Sequence, residues 1–183
     1  MKDSNFTIWW NFRIAFKKNI EALDLEYLAE KLKEPSERKY FLKYDLCNRI
    51  AKDMQLLYKE DEEYLKIDYT LFKEGEAGWR VPIIFIESEN DHESTYEEVL
   101  KLCSVNAQLK VLVIYGLSEA FEKELVANES YWDYILKDYM QAHTLTGHFA
   151  VMIYDWTDKL RFYSKLYTER GMLLEPKSLF VER

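Results

Sequence analysis

The segment VPIIFIESEN, Val81 to Asn90, decides the fold that this sequence predicts. Its apolar residues leave neither face of a strand polar, which is typical of a strand covered by helices on both sides. The segment nevertheless ends in two carboxylates, Glu87 and Glu89. Because side chains alternate along a strand, both acids point to the same face. A strand suited to the interior therefore has an acidic end that needs an explanation.

The residues before this strand predict two helices and a first strand. Apolar residues at helical spacing predict an N-terminal helix over residues 1–34 and, after Pro35, a second helix that continues to Leu57. The segment Tyr64 to Phe72 alternates like a strand, and Gly75 and Gly78 mark a turn after it. Together with the opening segment it predicts an antiparallel hairpin.

The residues after it predict a crossover. A helix over Thr95–Val105 and the apolar strand Leu109–Tyr115 follow, and a strand, helix, strand order indicates a right-handed connection between parallel strands. Helical sequence then extends from Ser118 to about Ala142. The segments Phe149–Trp156 and Leu160–Tyr167 predict a closing hairpin.

These elements predict an α/β fold with a mixed β-sheet flanked by helices. At 183 residues the chain is expected to form a single domain, 1–183. Its expected parts are the N-terminal helix, 1–34, an αβββαβ-like core, 36–115, and a region of helices with the closing hairpin, 117–183.

The composition limits the partners. A net charge of −8 argues against broad nonspecific attraction to phosphate backbones, because such binding depends mainly on Lys and Arg. Basic residues cluster only loosely, in FRIAFKK (Phe12–Lys18) and ERKYFLK (Glu37–Lys43), and either segment can form a local positive stripe. A nucleic-acid partner, a protein partner and self-association all stay open.

The sequence also indicates where the protein works. No apolar run approaches the roughly 18 residues that a membrane span needs, and the first residues do not resemble a secretory signal. Cys47 and Cys103 are expected to be free thiols rather than a disulfide. We expect a soluble, cytoplasmic protein without membrane association.

A third acid is expected beside the two glutamates. If the hairpin forms, Lys66, Asp68 and Thr70 share a face of its first strand, and Asp68 comes beside Glu87. Two carboxylates about 4 Å apart repel by roughly 4 kcal/mol at an effective dielectric of 20, so the cluster must bind a cation, hold a proton or splay into water. Carboxylate oxygens favour a hard divalent ion, Mg²⁺ or Mn²⁺.

The order of these features resembles the core of the PD-(D/E)xK nuclease superfamily. In that core a helix precedes the hairpin, an Asp lies on one strand and Glu-x-Lys lies on the next. The resemblance covers roughly residues 36–115 and implies a restriction-endonuclease-like core with an extra N-terminal helix. It also implies that Asp68 and Glu87 bind the metal and that Ser88 offers its backbone carbonyl.

The chain departs from this motif at one position. Glu89 stands where the superfamily has Lys, so Glu89 becomes a further metal ligand candidate and the basic residue must come from elsewhere. Some members carry it on the following helix, and here Lys101, at i+3 from Glu98, can point back toward the acids. The alternative is a solvated Glu98–Lys101 pair. His92 can join a metal shell or simply be solvated.

Three functions follow from these features. The first is a Mg²⁺- or Mn²⁺-dependent nuclease with Asp68, Glu87, Glu89 and Lys101 as catalytic residues. The second is an inactive module with the same fold that binds protein or nucleic acid, which the missing Lys and the negative charge favour. The third is a metal-dependent hydrolase of a smaller phosphorylated substrate.

Overall fold

A single mixed sheet forms the centre of the molecule. The computed structural model describes residues 4–60, 62–90, 95–115, 131–156 and 158–183. Within these ranges seven strands are hydrogen-bonded in the order of the sequence, β1-β2-β3-β4-β5-β6-β7. Their bounds are β1 Leu57–Tyr58, β2 Tyr69–Glu74, β3 Arg80–Glu89, β4 Leu109–Tyr115, β5 His148–Trp156, β6 Leu160–Tyr167 and β7 Leu173–Glu182.

The strand directions follow from the connections. The pairs β3–β4 and β4–β5 are parallel, and every other neighbouring pair is antiparallel. The connection from β3 to β4 runs through a helix, whereas five residues or fewer join β2 to β3, β5 to β6 and β6 to β7. The predicted α/β class, with a mixed sheet flanked by helices, is confirmed.

Helices cover both faces of this sheet. The first four lie on one face and the last two lie on the other. The bounds are α1 Ser4–Glu21, α2 Leu25–Lys33, α3 Pro35–Phe41, a π-helical turn Leu42–Leu46, α4 Cys47–Asp53, α5 Thr95–Ser104 and α6 Tyr131–Ala142. None of the described helices is long and apolar enough to cross a membrane.

The central strands are buried on both faces, as the run of apolar residues predicts. Ile84 and Ile86 of β3 join the core beneath α1 to α4, while Phe85 joins the core beneath α5 and α6. Cys47 and Cys103 are buried free thiols in these two opposite layers. The alternation also sends Glu87 to the side of Phe85, where α5 lies.

The prediction of one continuous N-terminal helix over 1–34 is wrong. Helix α1 ends at Glu21, and α2 starts at Leu25 after an N-cap, Asp24. The carboxylate of Asp24 accepts hydrogen bonds from the backbone N–H groups of Glu26 and Tyr27 at 2.8 and 3.2 Å. Such a cap satisfies N–H groups that have no partner within the helix. The apolar spacing continues across the break and therefore does not reveal it.

The second helix is also shorter than predicted. It includes a π-helical turn and ends at Asp53, and Gln55 then adopts a positive φ of 56°. Leu57, expected at the end of this helix, instead pairs with Phe72 as part of β1.

The first hairpin strand starts later than predicted. The structure has a 3-10 turn at Tyr64–Lys66, in which Leu65 and Lys66 have positive φ values of 57° and 62°, and β2 begins only at Tyr69. Lys66 therefore does not share a strand face with Asp68 and Thr70. Asp68 itself directly precedes the strand.

Strand β7 was not expected from the sequence. It pairs with β6 and places Glu175 against α1, where Oε2 of Glu175 accepts a hydrogen bond from the indole N–H of Trp9 at 3.1 Å. Trp9 is fully buried and Trp10 is 49% exposed, so one of these adjacent tryptophans faces the core and the other faces solvent. Of the helical sequence expected from Ser118, the described part is α6, and residues 118–130 lie outside the described ranges.

Candidate active site

The acidic end of β3 lies beside the start of β2. The antiparallel register pairs Tyr69 with Ile86 and so sets Asp68 opposite Glu87. Oδ2 of Asp68 accepts a hydrogen bond from the backbone N–H of Ser88 at 3.2 Å. The hairpin therefore brings Asp68 beside Glu87, as the sequence predicts.

Lys101 reaches these acids from α5. Its Nζ lies 2.6 Å from Oε1 of Glu87 and donates a longer hydrogen bond, 3.3 Å, to the carbonyl of Lys66. Oε1 of Glu98, the partner in the alternative interpretation, is farther from this Nζ at 3.8 Å. Helix α5 packs on the sheet through buried residues of the same helix, Val99, Leu102 and Cys103. That packing directs the ammonium of Lys101 toward the acids.

The surroundings of Glu87 disfavour the charged form of its carboxyl group. The pKa of Glu87 is raised to about 8: burial raises it most, the contact with Lys101 lowers it, and the charge of Asp68 raises it. Burial also lowers the pKa of Lys101, but its contact with Glu87 and the charges of Glu98 and Asp68 leave that pKa raised overall. Lys101 therefore stays a cation, and the buried carboxyl beside it ionises less readily than an exposed glutamate.

A second lysine, on α3, reaches the other acid. Nζ of Lys39 lies 3.1 Å from Oδ1 of Asp68, and its side chain is 57% exposed. The charge of Asp68 is the main reason why the pKa of Lys39 is raised. Reasoning from the sequence noted this lysine only as part of the stripe Glu37–Lys43. Its contact with Asp68, 29 residues away, depends on how α3 packs beside β2.

Glu89 lies at the same strand end but does not join the pair. Its Oε1 accepts a hydrogen bond from the backbone N–H of Asn90 at 2.7 Å. Among the described residues, no three His, Cys, Asp or Glu side chains are grouped so that they could hold a metal ion. Asp68, Glu87 and Glu89 thus do not form the expected cluster of three acids. His92 lies outside the described residues.

Arg38 fixes α3 against this strand end. Its guanidinium donates two hydrogen bonds to Oδ1 of Asn90, at 3.0 and 2.8 Å, and others to the carbonyls of Leu32 and Lys33. It also lies 4.8 Å from the ring centroid of Tyr115, at the end of β4. Arg38 therefore links the end of α2, the start of α3 and the ends of two parallel strands.

Comparison with other proteins adds no family to this geometry. No family model, curated protein or solved structure matches the chain. The interpretation of the site rests on its chemistry. Two adjacent carboxylates, each in contact with a lysine, can bind a cation and can place positive charge beside an anionic substrate.

Proposed function

We propose that this chain is a divalent-cation-dependent phosphodiesterase that cleaves nucleic acid at Asp68, Glu87 and Lys101. The observation that carries the proposal is the contact of Lys101 with Glu87, beside Asp68. The motif that the sequence resembles requires two acids and a cation, and Glu89 occupies the position of its lysine. A lysine on the following helix with its ammonium 2.6 Å from Glu87 is the replacement that the resemblance implies.

The order of elements supports the same proposal. Helices α3 and α4 precede the antiparallel hairpin β2–β3, and α5 then leads to the parallel strand β4. This order resembles that of the restriction-endonuclease-like core and supports the proposal. The acids lie on the hairpin and the cation on the crossover helix.

The residues present fit a hard divalent cation. Mg²⁺ keeps several waters and needs only one or two carboxylates besides substrate phosphate, so the absence of a third acid from the cluster is compatible with it. Asp68, Glu87 and the carbonyl of Ser88 would hold Mg²⁺ or Mn²⁺. Burial raises the pKa of Glu87 to about 8, and a bound divalent cation would favour the charged form of this carboxyl. When bound, such a cation activates water and neutralises charge on the phosphate.

Lys101 would act on the substrate. Lys101 carries a positive charge beside Glu87 and would donate a hydrogen bond to a phosphate oxygen as negative charge develops on it. Glu87 is buried and Lys101 is half-buried, which strengthens that interaction, since charges attract more strongly where water is partly excluded. The hydrogen bond from the N–H of Ser88 to Asp68 holds Asp68 beside Glu87 and its partner, Lys101.

A cleavage assay tests the proposal. Purified protein with Mg²⁺ or Mn²⁺ is incubated with single-stranded, duplex and circular nucleic acids. We expect cleavage that chelation abolishes and that Glu87→Gln and Lys101→Met each lower by at least about 100-fold. Glu97→Gln, an exposed acid on the same helix, is the matched control and should cleave like the wild type. Cleavage that persists in Glu87→Gln would contradict the assignment of Glu87 to the active site.

A second function has its own supporting observation. Both acids already have lysine partners, Asp68 with Lys39 and Glu87 with Lys101, so the cluster can serve as a structural ion-pair network in an inactive binding module. Calorimetric titration with Mn²⁺ separates the two functions, because the module binds no cation at these acids.

Cleavage of a small phosphodiester, without cleavage of any polymer, would instead favour the third function, a hydrolase of smaller phosphorylated substrates.

A further inference from the structure

A face of α3 and the π-helical turn continues from the candidate active site, exposed at its start and half-buried at its end. We define the tyrosine–lysine face as Lys39, Tyr40, Lys43 and Tyr44. Lys39 joins it to the site through its contact with Asp68. We propose that this face binds a single strand of nucleic acid and leads it to Asp68 and Glu87. The inference rests on the proposed function for its choice of partner.

The two tyrosines form a tilted ring pair at the surface. Their ring centroids lie 4.4 Å apart at an interplanar angle of 44°. Tyr40 is 59% exposed, so its ring is not explained by packing in the core. An exposed aromatic ring offers a surface on which an unpaired base can stack, and such stacking depends little on the base.

The lysines supply the charge that a backbone requires. Nζ of Lys43 lies 5.2 Å from the ring centroid of Tyr44, and Lys39 lies one helical turn before Lys43. Two carboxylates of the same helical segment are paired with other cations: Glu37 with Lys31 at 3.0 Å, and Asp45 with Arg49. Lysines interleaved with aromatic side chains are typical of surfaces that follow a single strand.

The face is held in a fixed position relative to the acids. The carbonyl of Lys39 accepts a hydrogen bond from the hydroxyl of Tyr69 in β2, and Arg38 anchors the same helix to Asn90. The turn that carries Lys43 and Tyr44 is π-helical, with the N–H of Cys47 bonded to the carbonyl of Leu42. Single π-helical turns inside helices occur frequently at functional sites.

Single-stranded nucleic acid suits this chain better than a duplex. A chain with a net charge of −8 gains little from nonspecific contact with the dense charge of a duplex. Base stacking adds affinity that does not depend on the number of cations. Paired bases are already stacked on one another and cannot cover an exposed protein ring such as that of Tyr40.

Binding of labelled oligonucleotides tests the inference. Fluorescence anisotropy is measured in EDTA with three fluorescein-labelled ligands. They are a 15-nucleotide oligothymidylate, the matching oligouridylate and a duplex of the same length. We expect the wild type to bind at least one single strand more tightly than the duplex, and the two single strands separate DNA from RNA. Tyr40→Ala should weaken that binding by roughly tenfold, and Tyr40→Phe should retain it, because only the ring is needed. Lys39→Met should weaken binding and make it less dependent on salt.

The control and the contrary results are specific. Tyr134→Ala removes a tyrosine of similar exposure, 51%, from α6 and should bind like the wild type. Equal binding of single strand and duplex, or equal binding by Tyr40→Ala and Tyr134→Ala, would overturn the inference. Cleavage by the same variants is measured in parallel. Cleavage that depends on Glu87 but not on Tyr40 rejects this face and leaves the proposed function standing, whereas binding that depends on Tyr40 without any cleavage rejects the proposed function alone.

Discussion

Lys110 shows how much a single buried charge can matter in this fold. It lies on β4 between Phe85 and Phe149, fully buried, and its Nζ bonds to the carbonyl and the hydroxyl of Thr146. Burial lowers the pKa of Lys110 to about 8 from a usual 10.5. A folded state with the lower lysine pKa binds fewer protons, so this residue lowers stability as the pH falls from 10.5 to 8.

We therefore predict a pH-dependent difference between the wild type and Lys110→Met. The free energy of unfolding of the wild type, minus that of the variant, should rise by about 3 kcal/mol between pH 7.5 and pH 10.5, since one pKa unit corresponds to about 1.4 kcal/mol. Taking the difference removes the contribution of tyrosine ionisation. Urea unfolding at several pH values measures it, and two parallel stability curves would contradict the prediction.

Residue-level inference from the sequence succeeded where the contact depends on local alternation. Asp68 and Glu87 come together because strands alternate and hairpins pair neighbouring segments, and both rules operate over short distances. Lys39 was not assigned to the site because its contact depends on the tertiary position of α3. Glu89 shows a further limit, since its place on the correct strand face did not determine that its carboxylate would accept a bond from Asn90.

At the scale of elements, the existence of helices and strands was easier to predict than their bounds. Apolar spacing identified the helices on both sides of Pro35, but it continued through the break at Asp24 and past the end of α4 at Asp53. Breaks of this kind are made by hydrogen bonds from a cap and by single residues with positive φ, neither of which changes the apolar period. The apolar strands β3 and β4, buried on both faces, left less ambiguity.

The anchoring of α3 by Arg38 gives a prediction at this scale. Arg38→Met should lower the free energy of unfolding by about 2–3 kcal/mol, because it leaves the carbonyls of Leu32 and Lys33 and the amide of Asn90 without their buried donor. Asn90→Ala removes one partner and leaves both carbonyl contacts, so it should cost clearly less. Urea unfolding of both variants is the measurement. Equal losses would show that the contact with Asn90, and not the cap on α2, provides the stabilisation.

For the molecule as a whole, contacts between distant segments were the hardest to predict. Strand β7, LLEPKSLFVE, contains Pro176 and does not alternate cleanly, so its sequence did not identify it as a strand. Its position depends on pairing with β6 and on contact with α1. Arg183 adds to this contact by donating to the carbonyls of Ile20 and Leu23 at 2.9 and 2.5 Å. The first helix and the last strand therefore stabilise each other.

Glu175 tests whether this contact stabilises the molecule globally. It accepts hydrogen bonds from buried Trp9 and from Arg13, and Glu175→Ala would leave both donors without that partner. We expect a loss of about 2–3 kcal/mol and faster amide exchange in α1 and β7 together, because Trp9 and Glu175, 166 residues apart in the sequence, join the two elements. Glu175→Gln keeps an acceptor and should lose less. Glu182→Ala, which removes an exposed partner of Arg161 from the same strand, should cost no more than about 1 kcal/mol. If Glu175→Ala speeds exchange only in β7, then α1 is stabilised by its apolar contacts with the sheet alone. The polar contact between α1 and β7 would then stabilise only the edge strand.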